Sequence, residues 1–290
     1  MAYNEESPLV SVMMPVYNGI NTLPLAVNSL LSQTHANWFC IIVNDGSTDG
    51  TKEYLDNLTD PRFKIIHFEV NKGRPYARQA ALEAAKGEYL AYLDADDFYH
   101  PEKIQKQLDV FIKNPQISLV SCGMGSFNDG FQLERIRCNY TTKPVKYKMG
   151  QNYKPARAAA MVRLPDAKFI KYNLNLKYAQ DTDYFVRYMD DKFYINIEDV
   201  LYFYSEFNSV TKSKILKTYY YVLRNNVLTF KSSPAKSAKE FTINSLKFVY
   251  TAVLSPFVSK DYFLKKRGAY PDKAELQKFN DALKRINRND

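Results

Sequence analysis

Cysteine and histidine are scarce, with three of each in 290 residues. Cys40, Cys122 and Cys138 are odd in number, widely spaced and without a CxxC pair, which argues against a disulfide framework or a cysteine zinc site and favours a reducing cytosol. His35, His67 and His100 are scattered without metal-ligand spacing and read as structural histidines. Long apolar runs are also missing. No stretch reaches about 18 apolar residues, and the most apolar part of the C-terminal region, Leu246 to Val258, is broken by Lys247, Ser255 and Pro256, so no spanning helix is expected. The start, MAYNEESPLV, lacks the basic and apolar regions of a secretory leader, and a cytoplasmic chain is expected. Repeats and low-complexity tracts are absent.

What is present is a globular composition, 46% hydrophobic, enough to bury a full core. The net charge of +9 is unevenly spread: residues 211–290 hold 17 Lys/Arg against 6 Asp/Glu, and residues 1–210 hold 23 against 25. A basic tail suits nucleic acid, an anionic lipid surface or a phosphorylated substrate, and charge alone does not choose among them.

The first hundred residues alternate apolar runs with helical patterns, the signature of βαβ units and a mainly parallel sheet. Strands are expected at 9–14, 39–43, 63–68 and 89–93, with helices near 22–33, 49–58 and 74–86. Each strand then ends in a loop leading to a helix, and ligands in open α/β sheets bind outside those carboxyl ends. His100-Pro101-Glu102-Lys103 is expected to open a further helix with Ile104, Leu108, Phe111 and Ile112 as its apolar stripe. A strand is expected at 117–120, a helix near 181–190 and a short strand at 193–197. Helical stretches follow near 213–232 and 238–255, and the last twenty residues read as a solvated helix.

Side chains suited to a nucleotide diphosphate stand at the strand ends: Pro15-Val16-Tyr17-Asn18-Gly19, Asn44-Asp45-Gly46-Ser47-Thr48-Asp49-Gly50, Asn71-Lys72-Gly73-Arg74 and Asp94-Ala95-Asp96-Asp97. An isolated Asn-Asp-Gly is an ordinary turn. Three carboxylates in four residues beside an apolar strand are different, because they repel one another unless a cation sits among them. Mg²⁺ or Mn²⁺ is the natural neutraliser, since such ions take oxygen ligands and bridge carboxylates to substrate phosphates. The competing reading is a helix N-terminus, where acids favour the dipole.

The order PVYNG, NDGSTDGT, NKGRPYARQAA, YLAYLDADD resembles the N-terminal half of family 2 glycosyltransferases of the GT-A fold, over roughly residues 8 to 210. The resemblance implies an α/β, Rossmann-like, mainly parallel sheet flanked by helices. It implies that Asp45 hydrogen-bonds the base, typically uracil, and that Pro15, Tyr17 and Asn18 line the nucleotide, with Val16, Asn71, Gly73 and Ala95 beside it. Asp94 would meet the ribose or nucleotide and Asp96 would ligate the metal, with Asp97 a supporting acid or helix cap. Chemistry agrees, since a carboxylate can accept a pyrimidine N–H and glycine permits close backbone approach. Arg74 and Arg78 are phosphate or helix-face candidates, Arg78 being taken into the nucleotide site, while Lys72 reads as surface.

The acceptor half needs a base. Gln180-Asp181-Thr182-Asp183 resembles the family's Glu-Asp motif before a helix, with Asp181 on the catalytic aspartate and Asp183 the lesser candidate. Two departures stand out. Gln180 replaces the usual glutamate, and in the segment 202–211 Tyr204 and Glu206 replace an arginine and a histidine. Glu206 is a secondary metal-ligand candidate. Ala158 to Arg163 resembles the family's small-residue stretch near the acceptor, with Met161 or Arg163 as possible contacts. Trp38, just before a strand, reads as core rim rather than a sugar platform, and Cys40 as plain packing.

The resemblance implies an inverting, metal-dependent, non-processive transferase moving a sugar from a nucleotide diphosphate sugar, UDP being favoured, to a glycan or lipid-linked hydroxyl in surface polysaccharide synthesis. Residues 1–211 would form the GT-A domain, with 1–114 the nucleotide half and 115–211 the acceptor half, and 212–290 a basic, aromatic-rich helical region in peripheral contact with an anionic membrane surface. A sugar nucleotidyltransferase would need a Gly-rich, Arg- and Lys-containing loop after the first strand, where Pro-Val-Tyr-Asn-Gly stands instead. A nucleic-acid-binding protein would explain the basic tail but not the acidic strand ends, so no nucleic-acid partner is expected.

Overall fold

Val10-Ser11-Val12-Met13-Met14 is buried on both faces, the pattern of a central strand in a sheet covered on both sides. The computed structural model describes residues 7–149, 151, 153–176, 179–205, 211–213, 215–217, 219–220, 223, 234–266 and 268–289. In it β1 (Val10–Val16) pairs in parallel with β2 (Trp38–Asn44) on one side and β4 (Tyr89–Tyr92) on the other, and β3 (Phe63–His67) continues the parallel set beyond β2. The register ends Val16 opposite Asn44 and Asn44 opposite His67, so these strands finish along one edge. The loop from β4 leaves at that same edge, with Leu93 N–H donating to the Met13 carbonyl just before Asp94.

Beyond β4 the sheet becomes mixed. β9 (Met161–Arg163) runs antiparallel between β4 and β6 (Ile117–Phe127), and β6 pairs in parallel with β10 (Phe193–Tyr204), which takes the short β5 (Phe98–Tyr99) at the edge. β7 (Leu133–Arg137) pairs with β6 and β8 (Val145–Lys146) with β10. The strands expected at 117–120 and 193–197 are thus much longer than the sequence suggested. Their extensions carry Gly123, Gly125, Ser126 and the irregular pairing between Asn196 and Tyr202, which hide the strand pattern.

Side chains alternate between two buried faces. Val12, Met14, Cys40, Ile42 and Ala91 join α1 (Leu23–Leu31) and α4 (Lys103–Lys113) in one core. Met13, Ile41, Val43, Leu90 and Tyr92 join α3 (Arg74–Ala84), α5 (Leu164–Lys168) and α6 (Gln180–Met189) in the other. The short α2 (Thr51–Asp56) follows β2. On α4 the expected stripe holds at Ile104, Leu108 and Phe111, but Ile112 points to solvent at 61% exposure.

Toward the C-terminus come α7 (Pro234–Leu254), α8 (Lys260–Lys265) and α9 (Lys273–Ile286). Most of the stretch 213–232 lies outside the described residues. The last helix is not simply solvated: Phe279, Ala282 and Ile286 are buried against Phe98, Phe127 and Phe203. Asp272 caps α9 by accepting the Glu275 N–H at 2.8 Å. Among the described residues no helix is long and apolar enough to cross a membrane.

Candidate active site

The first two strand-end loops are knitted together by side chains. Asn18, at φ 50°, accepts the Thr48 N–H on its Oδ1 at 2.8 Å, and its own N–H donates to Ser47 Oγ at 2.9 Å. Gly19 N–H donates to Thr51 Oγ1 and Ile20 N–H to Asp49 Oδ2. The third loop is held by Asp45, whose two carboxylate oxygens accept the N–H groups of Lys72 (2.7 Å) and Gly73 (2.8 Å). Gly46, at φ 71°, lets these backbones approach, since a Cβ there would lie 2.6 Å from Asn71 N. Asp45 is nearly buried, Asn71 is exposed, and Tyr17 stands half exposed at the rim. Pro15 and Val16 are the last residues of β1, and Gly73 caps α3 in a positive-φ conformation. The expected nucleotide residues therefore share one edge, with Asp45 fastening the loops.

Past β4, carboxylate oxygens of Asp94, Asp96 and Asp97 lie within 4.8 Å of one another. Asp97 N–H donates to the Asp94 carbonyl, folding the segment back on itself. Asp97 is buried; it accepts the Tyr202 hydroxyl at 2.6 Å and the Ser205 N–H at 3.1 Å. Burial, then the charges of Asp96 and Asp94, push its carboxyl well above the usual carboxylate range. The strand β5 follows directly, so Asp97 caps no helix; it ties the acidic loop to the end of β10. Burial works against ionised Asp94 too, but the Arg78 and Arg74 cations outweigh it and hold that carboxyl below its ordinary value. The all-oxygen donor set, with Asp94 and Asp96 partly exposed, fits a hard divalent ion.

Arg78 is the hinge of the site. It sits on α3 with its side chain only 7% exposed, donates from Nη2 to Asp94 at 2.9 Å, and meets Asp181 through Nη1. Asp181 lies in the first turn of α6, which opens after Ala179 at φ 58°. One guanidinium thus joins Asp94, after β4, to Asp181 at the start of α6. Gln180 beside it is buried, while Asp183 faces Arg187 in an ion pair at 2.5 Å. Together with Arg78, Asp94 and Asp181, the residues Arg157, Ala158 and Tyr202 line a cleft of about 40 Å³.

Some expected contacts lie elsewhere. Met161 is fully buried in the core on β9, so it has no surface for an acceptor. Arg163 pairs opposite Tyr89, at the far end of β4, where it donates to the Ile117 and Pro115 carbonyls. Glu206 lies outside the described residues. The histidines stay out of the cleft: His67 bonds Asn44 and Asp56, and His35 bonds the Pro8 and Asn37 carbonyls. Trp38 is a core residue rather than a rim one, and Cys40 packs in the same core. Residue patterns did not single out Tyr202 or Arg157. Tyr202 carried a signal in its place within the segment 202–211, and Arg157 only in preceding the small-residue stretch from Ala158.

A sheet with nucleotide-type loops at one edge, an acidic cluster after β4 and a facing carboxylate at a helix start is the arrangement of GT-A fold glycosyltransferases. The family model described as Glycosyl transferase family 2 matches residues 11–164, more than half the chain, and the chain belongs to that family. One relative, WfgD of Escherichia coli, a UDP-Glc:alpha-D-GlcNAc-diphosphoundecaprenol beta-1,3-glucosyltransferase, is 38% identical over 106 residues. That match takes in 37% of this chain and 42% of WfgD, so the chain spans less than half the length of this relative. The fold is shared with S. aureus TarS in complex with UDP-GlcNAc, at TM-score 0.59 and 17% identity over 96% of this chain and 80% of TarS. It is shared too with the mannosyltransferase PcManGT of Pyrobaculum calidifontis in complex with GDP-Man and Mn²⁺, at TM-score 0.62 and 15% identity over 98% and 87% of the two chains.

Proposed function

We propose that this chain is an inverting, divalent-metal-dependent glycosyltransferase that moves a sugar from a UDP-sugar to a hydroxyl of a glycan or lipid-linked acceptor in surface polysaccharide synthesis. The observation that carries the reading is the Arg78 bridge, which joins the donor-side Asp94 to Asp181 in one cleft. WfgD's name, with its UDP-glucose donor and diphosphoundecaprenol-linked acceptor, and the UDP-GlcNAc complex of TarS support the donor and acceptor classes. The Mn²⁺ complex of PcManGT supports the metal.

In this reading residues 1–114 bind the nucleotide and residues 115–211 the acceptor. Pro15, Val16, Tyr17, Asn18, Asn71 and Gly73 surround the nucleotide, and Asp45 both fastens the loops and offers its remaining lone pairs to the base. Asp94 and Ala95 border the ribose, and Asp96 holds Mn²⁺ or Mg²⁺ with Asp94 beside it. The metal supplies Lewis-acid stabilisation of the departing diphosphate. Asp181 accepts the proton of the acceptor hydroxyl as its oxygen forms the bond to the anomeric carbon. The bond from that carbon to the diphosphate oxygen breaks on the opposite face, so configuration inverts without a covalent sugar intermediate.

The basic region 212–290 contacts an anionic membrane surface from the cytoplasmic side. Supporting this, Leu246, Val249, Val253 and Phe257 are each more than half exposed and recur along α7 and its end at helical spacing, with Lys247 nearby. Flotation with anionic liposomes tests it, and failure to float at low salt counts against it. For the enzyme reading, a thermal-shift screen of nucleotide diphosphates and their sugars with Mn²⁺ is the test. A rise for UDP-sugars that EDTA abolishes supports the reading; indifference to every nucleotide contradicts it.

A further inference from the structure

Arg157 is a cation without a counter-charge among the described residues. It lines the cleft beside Arg78, Asp94, Asp181 and Tyr202. Arg78 is already committed to two carboxylates, Asp94 and Asp181. Arg157 has no ion pair and no side-chain hydrogen bond among the described residues, and its Nε is buried without a partner. Its one neighbour of note is the Tyr153 ring, 5.5 Å from the guanidinium to the centroid. Arg157 is half-buried, and a sheltered guanidinium nitrogen without a partner is costly, which a ring at that distance offsets little.

The backbone that carries this side chain is nevertheless held in place. The Ala156 carbonyl accepts Ser121 Oγ at 2.9 Å, the Ala159 carbonyl accepts Gln107 Nε2 at 2.9 Å, and the Arg157 carbonyl accepts the Ala160 N–H. The backbone is therefore pinned to β6 and α4 on both sides of Arg157, which fixes where its side chain enters the cleft.

We infer that Arg157 is the binding cation of the cleft for a phosphate group, either of the donor diphosphate or of a phosphate-linked acceptor. The fork of a guanidinium matches a phosphate's oxygens, and in a cleft whose other cation, Arg78, already meets Asp94 and Asp181 it supplies the attraction for an anion. The inference rests on the glycosyltransferase reading for the identity of the ligands, but not for the presence of an anion site.

The test is isothermal titration of the full chain with two probes in Mn²⁺ buffer, UDP and farnesyl diphosphate, comparing wild type with Arg157→Gln and Arg157→Lys. Loss of a charge-assisted bond predicts a weakening of about tenfold or more in Arg157→Gln, with Arg157→Lys intermediate. Weakening toward UDP assigns Arg157 to the donor diphosphate, and weakening toward farnesyl diphosphate alone assigns it to an acceptor phosphate. If wild type ignores UDP but binds farnesyl diphosphate in an Arg157-dependent way, the donor reading fails and the inference stands. Unchanged affinity for both probes overturns it, as does a wild type that binds neither. If Arg157→Gln does not fold, Arg157→Lys carries the comparison, since it keeps the charge but loses the fork.

Discussion

Replacing Arg78 with methionine removes the cation that meets both Asp94 and Asp181. The arginine side chain is 7% exposed and its partners 29% and 31%, so the pairs are sheltered but not dry. Stripping one partner from a fully buried pair costs about 3–5 kcal/mol, and the exposure of the two acids cuts this to roughly 2–3 kcal/mol. For a chain of this size that is a fall of roughly 3–5 °C in Tm. Urea denaturation of Arg78→Met, Asp181→Asn and the double variant forms a cycle. The double variant relieves part of the repulsion, so a coupling of about 1 kcal/mol is expected. Mn²⁺ should also stabilise Arg78→Met more than wild type, because the ion takes over the neutralising role. A loss below about 0.5 kcal/mol, or strict additivity across the cycle, would refute the bridge as the link between the two halves.

Two further outcomes follow from the packing. Phe279→Ala removes a ring that meets Phe203 at 4.9 Å and Phe98 at 5.8 Å, so a loss of about 3–5 kcal/mol and rapid amide exchange along α9 are expected; protection unchanged from wild type would show that α9 does not depend on this cluster. Lys103 is fully buried on α4, and burial brings its pKa from 10.5 down to about 8. The folded state then binds fewer protons than the unfolded state between pH 8 and 10.5, so stability rises with pH across that window. Relative to Lys103→Met, wild type should gain about 3 kcal/mol there, and a pH-independent difference would show that burial does not depress this lysine's pKa.

The donor half was legible because its signals are local. Continuous apolar runs ending in Asn-Asp-Gly or Asp-Ala-Asp-Asp mark strands and their functional ends together, and all four recur at one sheet edge. The acceptor half was less legible because long-range packing builds it. An arginine on a helix such as Arg78 reads equally as solvated or functional until Ala77 and Ala81 are seen to bury that face. Met161 looked available only because its stretch resembles an acceptor loop, whereas the antiparallel pairing of β9 sends it into the core. Asp97 resembled a helix cap in an acidic run, but its role depends on Tyr202, 105 residues away. Nothing local to Arg157 announces its isolation, which appears only once the carboxylates around it are known to be paired with Arg78.

The central claim is that Asp181 removes the acceptor proton while the Asp94–Asp96 side holds the donor. The most direct measurement is donor binding and sugar transfer by Asp181→Asn, with UDP-sugar and Mn²⁺ at fixed concentration. The account predicts donor affinity within about threefold of wild type and transfer lower by about 10²–10⁴. Transfer at the wild-type rate by that variant would contradict it.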